Sequence, residues 1–380
     1  MMTFDFPVGY HDLHKTKIID YQLNRWHSFG YSSLDDMRAA AGRIRTLADW
    51  KPEMTRQAEQ ALAEGRLTNA TFNYRAAEFF AHPDDPDKDA LYRRFLDLFY
   101  NELTAGEPFE RASIPFDGGA LPALRLPAEG AARGALVIHG GFDSLMEELY
   151  SWATFFARRG YEVVLFEGPG QGGALRDHGL PMDYRWERAA AAVLDHYGLE
   201  DVTWLGISMG GWLCFRAAAL EPRISRVIAS SVAYDYMKIP PPAVESFARW
   251  LLKHPGMMRP MAEMKMKLMP QENWGAVNLM YIMRRDDPVA ASVDFLAFNA
   301  DNLLSDRVTQ DVLILTGNED HFIPMKIHDL QVAALTNARS VTPRIFTRAE
   351  QAQNHCQVGN MGLALETMVA WMMEREGVRT

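Results

Sequence analysis

The sequence contains little cysteine. Its two cysteines, Cys214 and Cys356, form no C-x-x-C pair and no zinc-type spacing within 380 residues. Because disulfide scaffolds and structural zinc sites depend on several suitably spaced cysteines, neither is expected. No other pattern requires a metal or an organic cofactor, so we predict none. A chain with so few cysteines suits reducing conditions, and we therefore expect a cytoplasmic protein.

Long apolar runs and an excess of basic residues are also missing. No stretch approaches the roughly 18 apolar residues of a transmembrane helix, and residues 1–15 lack the apolar core of a secretory signal. The formal charge of −10 makes the average surface repel phosphate backbones and anionic lipid. We expect a small-molecule substrate, and neither a nucleic-acid nor a membrane partner.

The first quarter of the chain has the periodicity of helices. Residues 20–103 form amphipathic stretches separated by short polar breaks. The predicted helices cover residues 33–47, 51–64, 67–80 and 89–101. Since 380 residues exceed the usual size of one domain, we predict a helical accessory domain over residues 1–105.

The pattern after residue 106 is that of an α/β protein. Alternating segments on either side of Asp117-Gly118-Gly119 predict a hairpin. Short apolar runs then alternate with helical stretches, which predicts a mostly parallel, doubly wound sheet. The predicted strands cover residues 109–115, 120–127, 134–138, 161–166, 202–207, 224–229, 312–316 and 342–346.

The alternation stops at residues 234–300, where we predict a helical lid insertion. This leaves residues 106–233 and 301–380 as the α/β core. The insertion is rich in methionine: Met257, Met258, Met261, Met264, Met266, Met269, Met280 and Met283. Because unbranched thioethers pack adaptably, these side chains either line a pocket for bulky apolar substrates or simply fill the core.

The segment Gly206-Ile207-Ser208-Met209-Gly210 lies between a predicted strand and a predicted helix. A G-x-S-x-G segment in that context is typical of a nucleophile elbow, in which glycines allow a sharp turn and close backbone approach. A serine hydroxyl is a weak nucleophile, so it needs a base and a group that orients the base. We predict Ser208 as the nucleophile.

An acid and a histidine follow Ser208 in the order that such elbows require. Asp320 comes just after a predicted strand, at the edge of the sheet where sites gather, with Glu319 as the competing acid. His355 lies on a loop after the last strand and is the last histidine of the sequence. We predict that Asp320 orients His355 as the base, and that His321 is structural.

Backbone N–H groups are the expected donors to an oxyanion. One donor should be Met209, the residue after the nucleophile, and the other Gly141 or Phe142 in the segment that begins at His139. His139 itself is expected to brace this loop.

A second glycine-rich segment, residues 167–173, reads Glu-Gly-Pro-Gly-Gln-Gly-Gly and invites a nucleotide-binding interpretation. It lacks the Lys-Ser/Thr of a phosphate-binding loop, and a proline interrupts the dinucleotide pattern. A structural loop beside the active site is the better interpretation.

Together these residues resemble the FrsA-like α/β-hydrolase family, which includes 2,6-dihydroxypseudooxynicotine hydrolase, esterases and carbon–carbon bond hydrolases. The motifs that carry the resemblance are residues 21–26, 30–31, 139–143, 167–172, 206–210 and 355–357. The resemblance implies an α/β-hydrolase fold with the helical domain packed over the core, often in a homodimer.

The residues themselves predict a serine hydrolase that acts through an acyl-enzyme on an ester or amide of a moderately bulky, apolar metabolite. The resemblance also allows hydrolysis of a carbon–carbon bond beside a ketone, assisted by an acid from the lid. Asp235 and Glu245 are the candidates for that acid, although each also fits a solvated helix. Acyl transfer and a non-catalytic binding role are the remaining alternatives.

Overall fold

The computed structural model describes residues 1–376, except for the side chains of residues 255, 270 and 271. Within this part of the chain, eight strands form one sheet in the order β1-β2-β4-β3-β5-β6-β7-β8. The strands are β1 (Glu110–Phe116), β2 (Gly119–Leu126), β3 (Gly134–His139), β4 (Tyr161–Phe166), β5 (Val202–Ile207), β6 (Ile224–Ser230), β7 (Asp311–Gly317) and β8 (Ser340–Phe346). All the predicted strands are present, with ends within two residues of those predicted, which confirms the α/β fold.

Most neighbouring strands in the sheet are parallel. Only β1 with β2, and β2 with β4, pair in the antiparallel direction among the described residues. The predicted hairpin is present, and Asp117 and Gly118 between β1 and β2 have φ angles of 44° and 77°, as a two-residue hairpin turn requires. The parallel pairing from β4 through β3 to β8 brings the carboxyl ends of these strands to one edge of the sheet.

Helices cover both faces of the sheet, because both faces are apolar. In β5, Leu205 and Ile207 belong to one hydrophobic core and Trp204 to the other. The α-helices of the described residues are α1 (Lys17–Ser28), α2 (Leu34–Arg43), α3 (Trp50–Ala63), α4 (Leu67–Phe79), α5 (Lys88–Asp97), α6 (Tyr150–Ala157), α7 (Gly172–Arg176), α8 (Trp186–Tyr197), α9 (Gly210–Ala218), α10 (Pro242–Leu252), α11 (Pro255–Leu268), α12 (Pro270–Met283), α13 (Pro288–Phe295), α14 (Ala300–Leu303), α15 (Met325–Ala334) and α16 (Met361–Glu376).

Two of the predicted N-terminal helices differ from the observed ones. The helix predicted over 33–47 ends at Arg43, because Ile44 is extended and a short 3₁₀ turn follows at Leu47–Asp49. The helix predicted over 89–101 continues after Asp97 as a π-helical turn, Leu98–Leu103. The helices predicted over 51–64 and 67–80 correspond to α3 and α4 within one residue. That residues 1–105 form a separate domain stays a prediction.

A buried ionic network ties the N-terminal helices to the core. Arg25 of α1 and Arg75 of α4 both pair with Glu148, next to α6, and Arg75 also pairs with Glu78. Arg176 of α7 also pairs with Glu78. The two glutamates are fully buried, and the sequence pattern did not predict their pairing.

Helices α10 to α14 connect β6 to β7 and occupy the predicted lid region. Helix α10 has no buried residue. On α11, Met257, Met261 and Met264 are 50%, 40% and 57% exposed, because they share the outward face of that helix. Neither of our two interpretations therefore holds for these three methionines, whereas Met258 and Met266 of the same helix are partly buried and Met283 of α12 is buried. Across residues 1–376, no helix combines the length and apolar character needed to cross a membrane.

Candidate active site

Ser208 lies on a sharp turn between β5 and α9. Its φ angle is +61°, a left-handed conformation that non-glycine residues rarely adopt. A Cβ atom on Gly206 would come within 2.0 Å of the Gly210 carbonyl oxygen, and one on Gly210 within 2.7 Å of the Gly140 oxygen. The glycines of the motif are therefore required for the turn, which holds the Ser208 side chain at the carboxyl edge of the sheet.

The structure brings Ser208, His355 and Asp320 together in one hydrogen-bonded chain. Nε2 of His355 lies 2.9 Å from the Ser208 hydroxyl oxygen, and Nδ1 lies 2.6 Å from Oδ2 of Asp320. This geometry corresponds to Nδ1–H donating to the carboxylate, with Nε2 free to accept the serine proton. The carboxylate and imidazole are buried, whereas the hydroxyl opens into a cavity.

Asp320 is held by three further donors. Oδ1 accepts the backbone N–H groups of Phe322 and Ile323, each at 2.9 Å, and Oδ2 accepts the Ser231 hydroxyl at 3.2 Å. Burial alone would raise the pKa of Asp320, but the attraction to His355 and these hydrogen bonds outweigh it and lower the pKa. The carboxylate is therefore ionised at neutral pH.

The same ion pair sets the charge preference of His355. Burial alone would lower the pKa of this imidazole, but attraction to Asp320 outweighs burial and raises the pKa well above its usual value. A base with that environment readily holds the proton that it takes from a nucleophile.

Glu319 and His321, the neighbours of Asp320 in the sequence, are not part of the hydrogen-bonded chain to Ser208. Glu319, the competing acid, is exposed and accepts from Nε of Arg348 at 3.0 Å. His321 is also exposed, and its ring packs against Tyr21 with 5.1 Å between centroids. These contacts support the choice of Asp320 and a structural role for His321.

Sequence reasoning missed the residues that support His355. Cys356 has a φ angle of +51°, and its N–H donates to the Ser231 hydroxyl at 3.1 Å. The Tyr21 hydroxyl, from α1, donates to the His355 carbonyl at 3.2 Å. Ser231 follows β6, which pairs with β7, so its place at the edge of the sheet was the available clue. Tyr21 lies in a motif of the family resemblance that gave it no role.

The backbone N–H groups predicted to form an oxyanion hole lie beside Ser208. Within residues 1–376, the N–H groups of Met209, Gly141 and Phe142 donate to no protein acceptor. A Cβ atom on Gly141 would come within 2.7 Å of the Met209 nitrogen. The glycine therefore leaves space beside that nitrogen, and the role of these N–H groups as an oxyanion hole stays a prediction.

The glycine-rich segment 167–173 braces this loop. The side-chain amide of Gln171 donates to the carbonyl oxygens of Gly140 and Gly141 at 2.9 and 3.0 Å. Glu167 is fixed by the N–H of Gly173 at 2.6 Å, and burial raises its pKa to about 8. These bonds support our interpretation of the segment as a structural loop. His139 is likewise buried, and its Nδ1 lies 2.9 Å from the Gly140 oxygen.

Ser208 and His355 open into a cavity of about 530 Å³. Its walls come from α1, the core and the lid. Apolar side chains dominate these walls, for example Ile18, Trp152, Ile239, Trp274, Leu279 and Phe322. The volume lies within the usual range of about 300–1,000 Å³ for small-molecule sites.

A model of the alpha/beta hydrolase family matches residues 135–361, more than half of the chain. The protein is an alpha/beta hydrolase. Membership confirms the fold class and the family resemblance that the motifs predicted.

Several fungal relatives of this alpha/beta hydrolase are themselves called hydrolases. Hydrolase acrC of Aspergillus aculeatus is 35% identical over 53% of this chain and 53% of its own length. Hydrolase ORFZ of Pyricularia oryzae is 24% identical over 97% of this chain and 99% of its own length. The chain spans about half the length of the first relatives that it matches.

Solved structures give the same fold. The crystal structure of 2,6-dihydroxy-pseudo-oxynicotine hydrolase superposes with a TM-score of 0.66 at 21% identity, over 92% of this chain and 94% of that one. The structure of AbyA5 superposes with a TM-score of 0.67 at 18% identity, over 90% of each chain. At these identities the likeness concerns the fold alone.

The structure does not bring the two candidate lid acids into the cavity of this alpha/beta hydrolase. Asp235 caps a 3₁₀ turn, where Oδ1 accepts the Met237 N–H at 2.8 Å. Glu245 of α10 accepts from Lys238 at 3.0 Å and from Arg249 at 2.9 Å. Neither acid is part of the described cavity lining, because each is turned toward partners within the lid.

Proposed function

We propose that the protein is a serine hydrolase that cleaves an ester or amide through an acyl-enzyme. Ser208 attacks the substrate carbonyl while His355 accepts the hydroxyl proton, and His355 then donates that proton to the leaving group. Water, deprotonated by His355, releases the acyl group and restores the serine. The observation that carries the proposal is the continuous hydrogen-bonded chain from the Ser208 hydroxyl through His355 to Asp320.

The tetrahedral intermediate would be stabilised by backbone donors. The N–H of Met209, with that of Gly141 or Phe142, is unpaired within the described chain and lies beside Ser208. The Phe142 carbonyl accepts from the Asn278 side chain at 3.3 Å, and Gln171 holds the carbonyls before it. Donors fixed in this way need little reorganisation when negative charge develops.

The cavity favours a moderately bulky, apolar metabolite as the substrate. Its volume of about 530 Å³ exceeds that of a short-chain ester, and its walls are mainly aromatic and aliphatic. Burial of apolar surface is worth roughly 25 cal/mol per Å², so larger apolar acyl groups should bind more tightly until the cavity is filled.

Turnover of p-nitrophenyl esters with butanoyl, octanoyl and benzoyl groups tests this proposal. We expect hydrolysis by the wild type and a loss of at least about 10³-fold in kcat for Ser208→Ala. Ser144→Ala, which removes another hydroxyl from the cavity lining, is the matched control and should retain turnover. Equal loss in both variants, or no loss in Ser208→Ala, would contradict the proposed nucleophile.

A β-diketone in the same assay separates ester hydrolysis from the carbon–carbon alternative. The same triad serves both reactions, but the carbon–carbon route needs an acid near the leaving carbanion. Asp235 and Glu245 have partners elsewhere in the lid. We therefore expect hydrolysis of the esters and no cleavage of the β-diketone. Diketone cleavage that depends on Ser208 would instead favour the carbon–carbon route.

We also propose that the enzyme is a cytoplasmic homodimer. The family resemblance supports the dimer, and both cysteines are buried and free, which suits reducing conditions. Size-exclusion chromatography with light scattering tests the dimer. A mass of about twice 43.0 kDa is expected, and a mass near 43.0 kDa would indicate a monomer.

A further inference from the structure

The cavity contains a carboxylate that the proposed chemistry does not use. Asp143 follows Phe142, one of the predicted oxyanion donors, and lines the same cavity as Ser208. Its backbone oxygen accepts from Arg75 at 2.6 Å. Within residues 1–376, however, no group donates a hydrogen bond to its carboxylate. Asp143 is half-buried and faces the cavity, so its carboxylate can accept a hydrogen bond from a group that enters the cavity.

Burial also affects the protonation of this side chain. It raises the pKa of Asp143, while Arg25 and Arg75 oppose the rise and Glu148 adds to it. The arginines thus help to keep a carboxylate in a mainly apolar cavity. A hydrogen-bond donor from a ligand would favour the ionised form further.

Arg25 brings a fixed donor to the same part of the cavity. Arg25 lines the cavity and shares Glu148 with Arg75, and Arg75 donates to the Asp143 backbone oxygen at 2.6 Å. Arg25 pairs with Glu148, donates to Oε1 of Gln22 at 3.3 Å and lies over the ring of Phe29. A guanidinium carries five N–H donors, so these two polar contacts leave donors for a ligand.

We propose that Asp143 and Arg25 form a polar subsite for a neutral hydroxyl group of the substrate, whether alcohol, phenol or enol. A hydroxyl donates its hydrogen to the Asp143 carboxylate, and its oxygen accepts an N–H of Arg25. A substrate carboxylate would be repelled by Asp143, and an ammonium group by Arg25. A neutral group that both donates and accepts therefore satisfies the two residues together. This inference rests on the proposed hydrolysis at Ser208.

Paired esters test the subsite. The probes are p-nitrophenyl benzoate, the 3- and 4-hydroxybenzoates, and the matching methoxybenzoates, which keep the oxygen but lose its hydrogen. The measured quantity is kcat/KM for each hydroxybenzoate divided by that for benzoate. Because the ratio is compared between variant and wild type, the electronic effect of the hydroxyl group cancels.

For at least one isomer, Asp143→Leu should lower this ratio by about ten- to a hundredfold, the usual worth of a hydrogen bond to a charged group. Asp143→Asn keeps the size of the side chain and a neutral acceptor, so it should lower the ratio less. The methoxybenzoate ratios should change in neither variant. As the control, Glu272→Gln removes another carboxylate of the cavity lining, which is 47% exposed and pairs with Lys265 at 3.1 Å. It should keep the wild-type ratio.

The outcomes separate this inference from the proposed function. If no ester is hydrolysed by the wild type, the proposed hydrolysis fails and the subsite fails with it. If the esters are hydrolysed and the hydroxybenzoate ratios of both Asp143 variants equal those of the wild type, the subsite alone is overturned. An equal fall of the hydroxy and methoxy ratios would also overturn it, because the hydrogen of the hydroxyl would then play no part.

Discussion

The cavity has two walls of different construction. One wall comes from the N-terminal helices, whose cavity residues Tyr21 and Arg25 are buried and bonded to the core. The other comes mainly from α12 and α13 of the lid, in which α10, outside the described cavity lining, has no buried residue. Buried, bonded side chains hold one geometry, whereas a segment with few buried contacts opens at lower free energy. We infer that the N-terminal wall positions the reacting groups and that the lid adjusts to the substrate.

The N-terminal wall also contacts the proposed catalytic base directly. Tyr21 binds the His355 carbonyl, and Arg25 and Arg75 share Glu148, whose Oε1 also accepts the N–H of Leu145 at 3.0 Å. On the lid, by contrast, Phe247 and Trp250 of α10 are 49% and 43% exposed. Substitutions in the N-terminal wall should therefore change kcat and stability more than comparable substitutions in the lid.

The largest effect is expected for Asp320→Asn. An amide can neither accept from Nδ1–H with a full charge nor hold the imidazole in the required tautomer, so kcat for p-nitrophenyl esters should fall by about 10⁴-fold. Glu319→Gln changes the adjacent, exposed carboxylate in the same way and should retain kcat. Comparable losses in the two variants would indicate that Glu319 shares the role of the acid.

A large loss of stability is expected for Glu148→Gln. The substitution leaves Arg25 and Arg75 buried without their shared carboxylate, and removal of one partner of a buried ion pair typically costs about 3–5 kcal/mol. Urea unfolding measures the free energy. Glu245→Gln also removes a carboxylate with two cationic partners, but in the lid, and should leave the unfolding midpoint unchanged. Equal unfolding midpoints for the two variants would show that ion pairs contribute equally to stability in the N-terminal wall and in the lid.

Gly141→Ala should impair catalysis more than stability. The new Cβ atom would lie 2.7 Å from the Met209 nitrogen and obstruct the oxyanion position. Loss of one donor typically lowers kcat by about 10²–10³-fold. Gly256→Ala in the lid, where nothing lies within 4 Å of the new atom, serves as the control. A wild-type kcat in Gly141→Ala would place the oxyanion elsewhere.

The smallest effect is expected for Trp250→Ser on the lid. The side chain is 43% exposed and stacks on Phe247 with 5.8 Å between ring centroids. The free energy of unfolding should change by no more than about 0.5 kcal/mol, and kcat/KM for short esters should stay the same. A cooperative loss of stability in urea would mean that the lid is as firmly held as the opposite wall.

The features that the sequence predicted are those with a local pattern. Each strand is a short apolar run, and the elbow at Ser208 needs only its own glycines. The order of Ser208, Asp320 and His355 along the chain predicts that three distant residues meet, and the structure places them in hydrogen-bond contact, because parallel strands deliver them to one edge of the sheet.

The features that the sequence did not predict depend on which surfaces meet. Periodicity predicts that α11 is amphipathic but not which face meets the core, so it did not predict that Met257, Met261 and Met264 are exposed. Likewise Asp235 and Glu245 lie in the lid segment of the sequence, but only the structure shows that their carboxylates bond to partners inside the lid. The pairing of Arg25 with Glu148 joins residues 123 positions apart, and no local pattern contains that information.

The most direct test of the central claim is labelling with a fluorophosphonate, followed by intact-mass and peptide analysis. An active triad predicts one adduct per chain, located on Ser208, formed in the wild type and in Glu319→Gln but strongly slowed in Asp320→Asn. Absence of an adduct on the folded wild-type protein, or an adduct on another residue, would contradict the account.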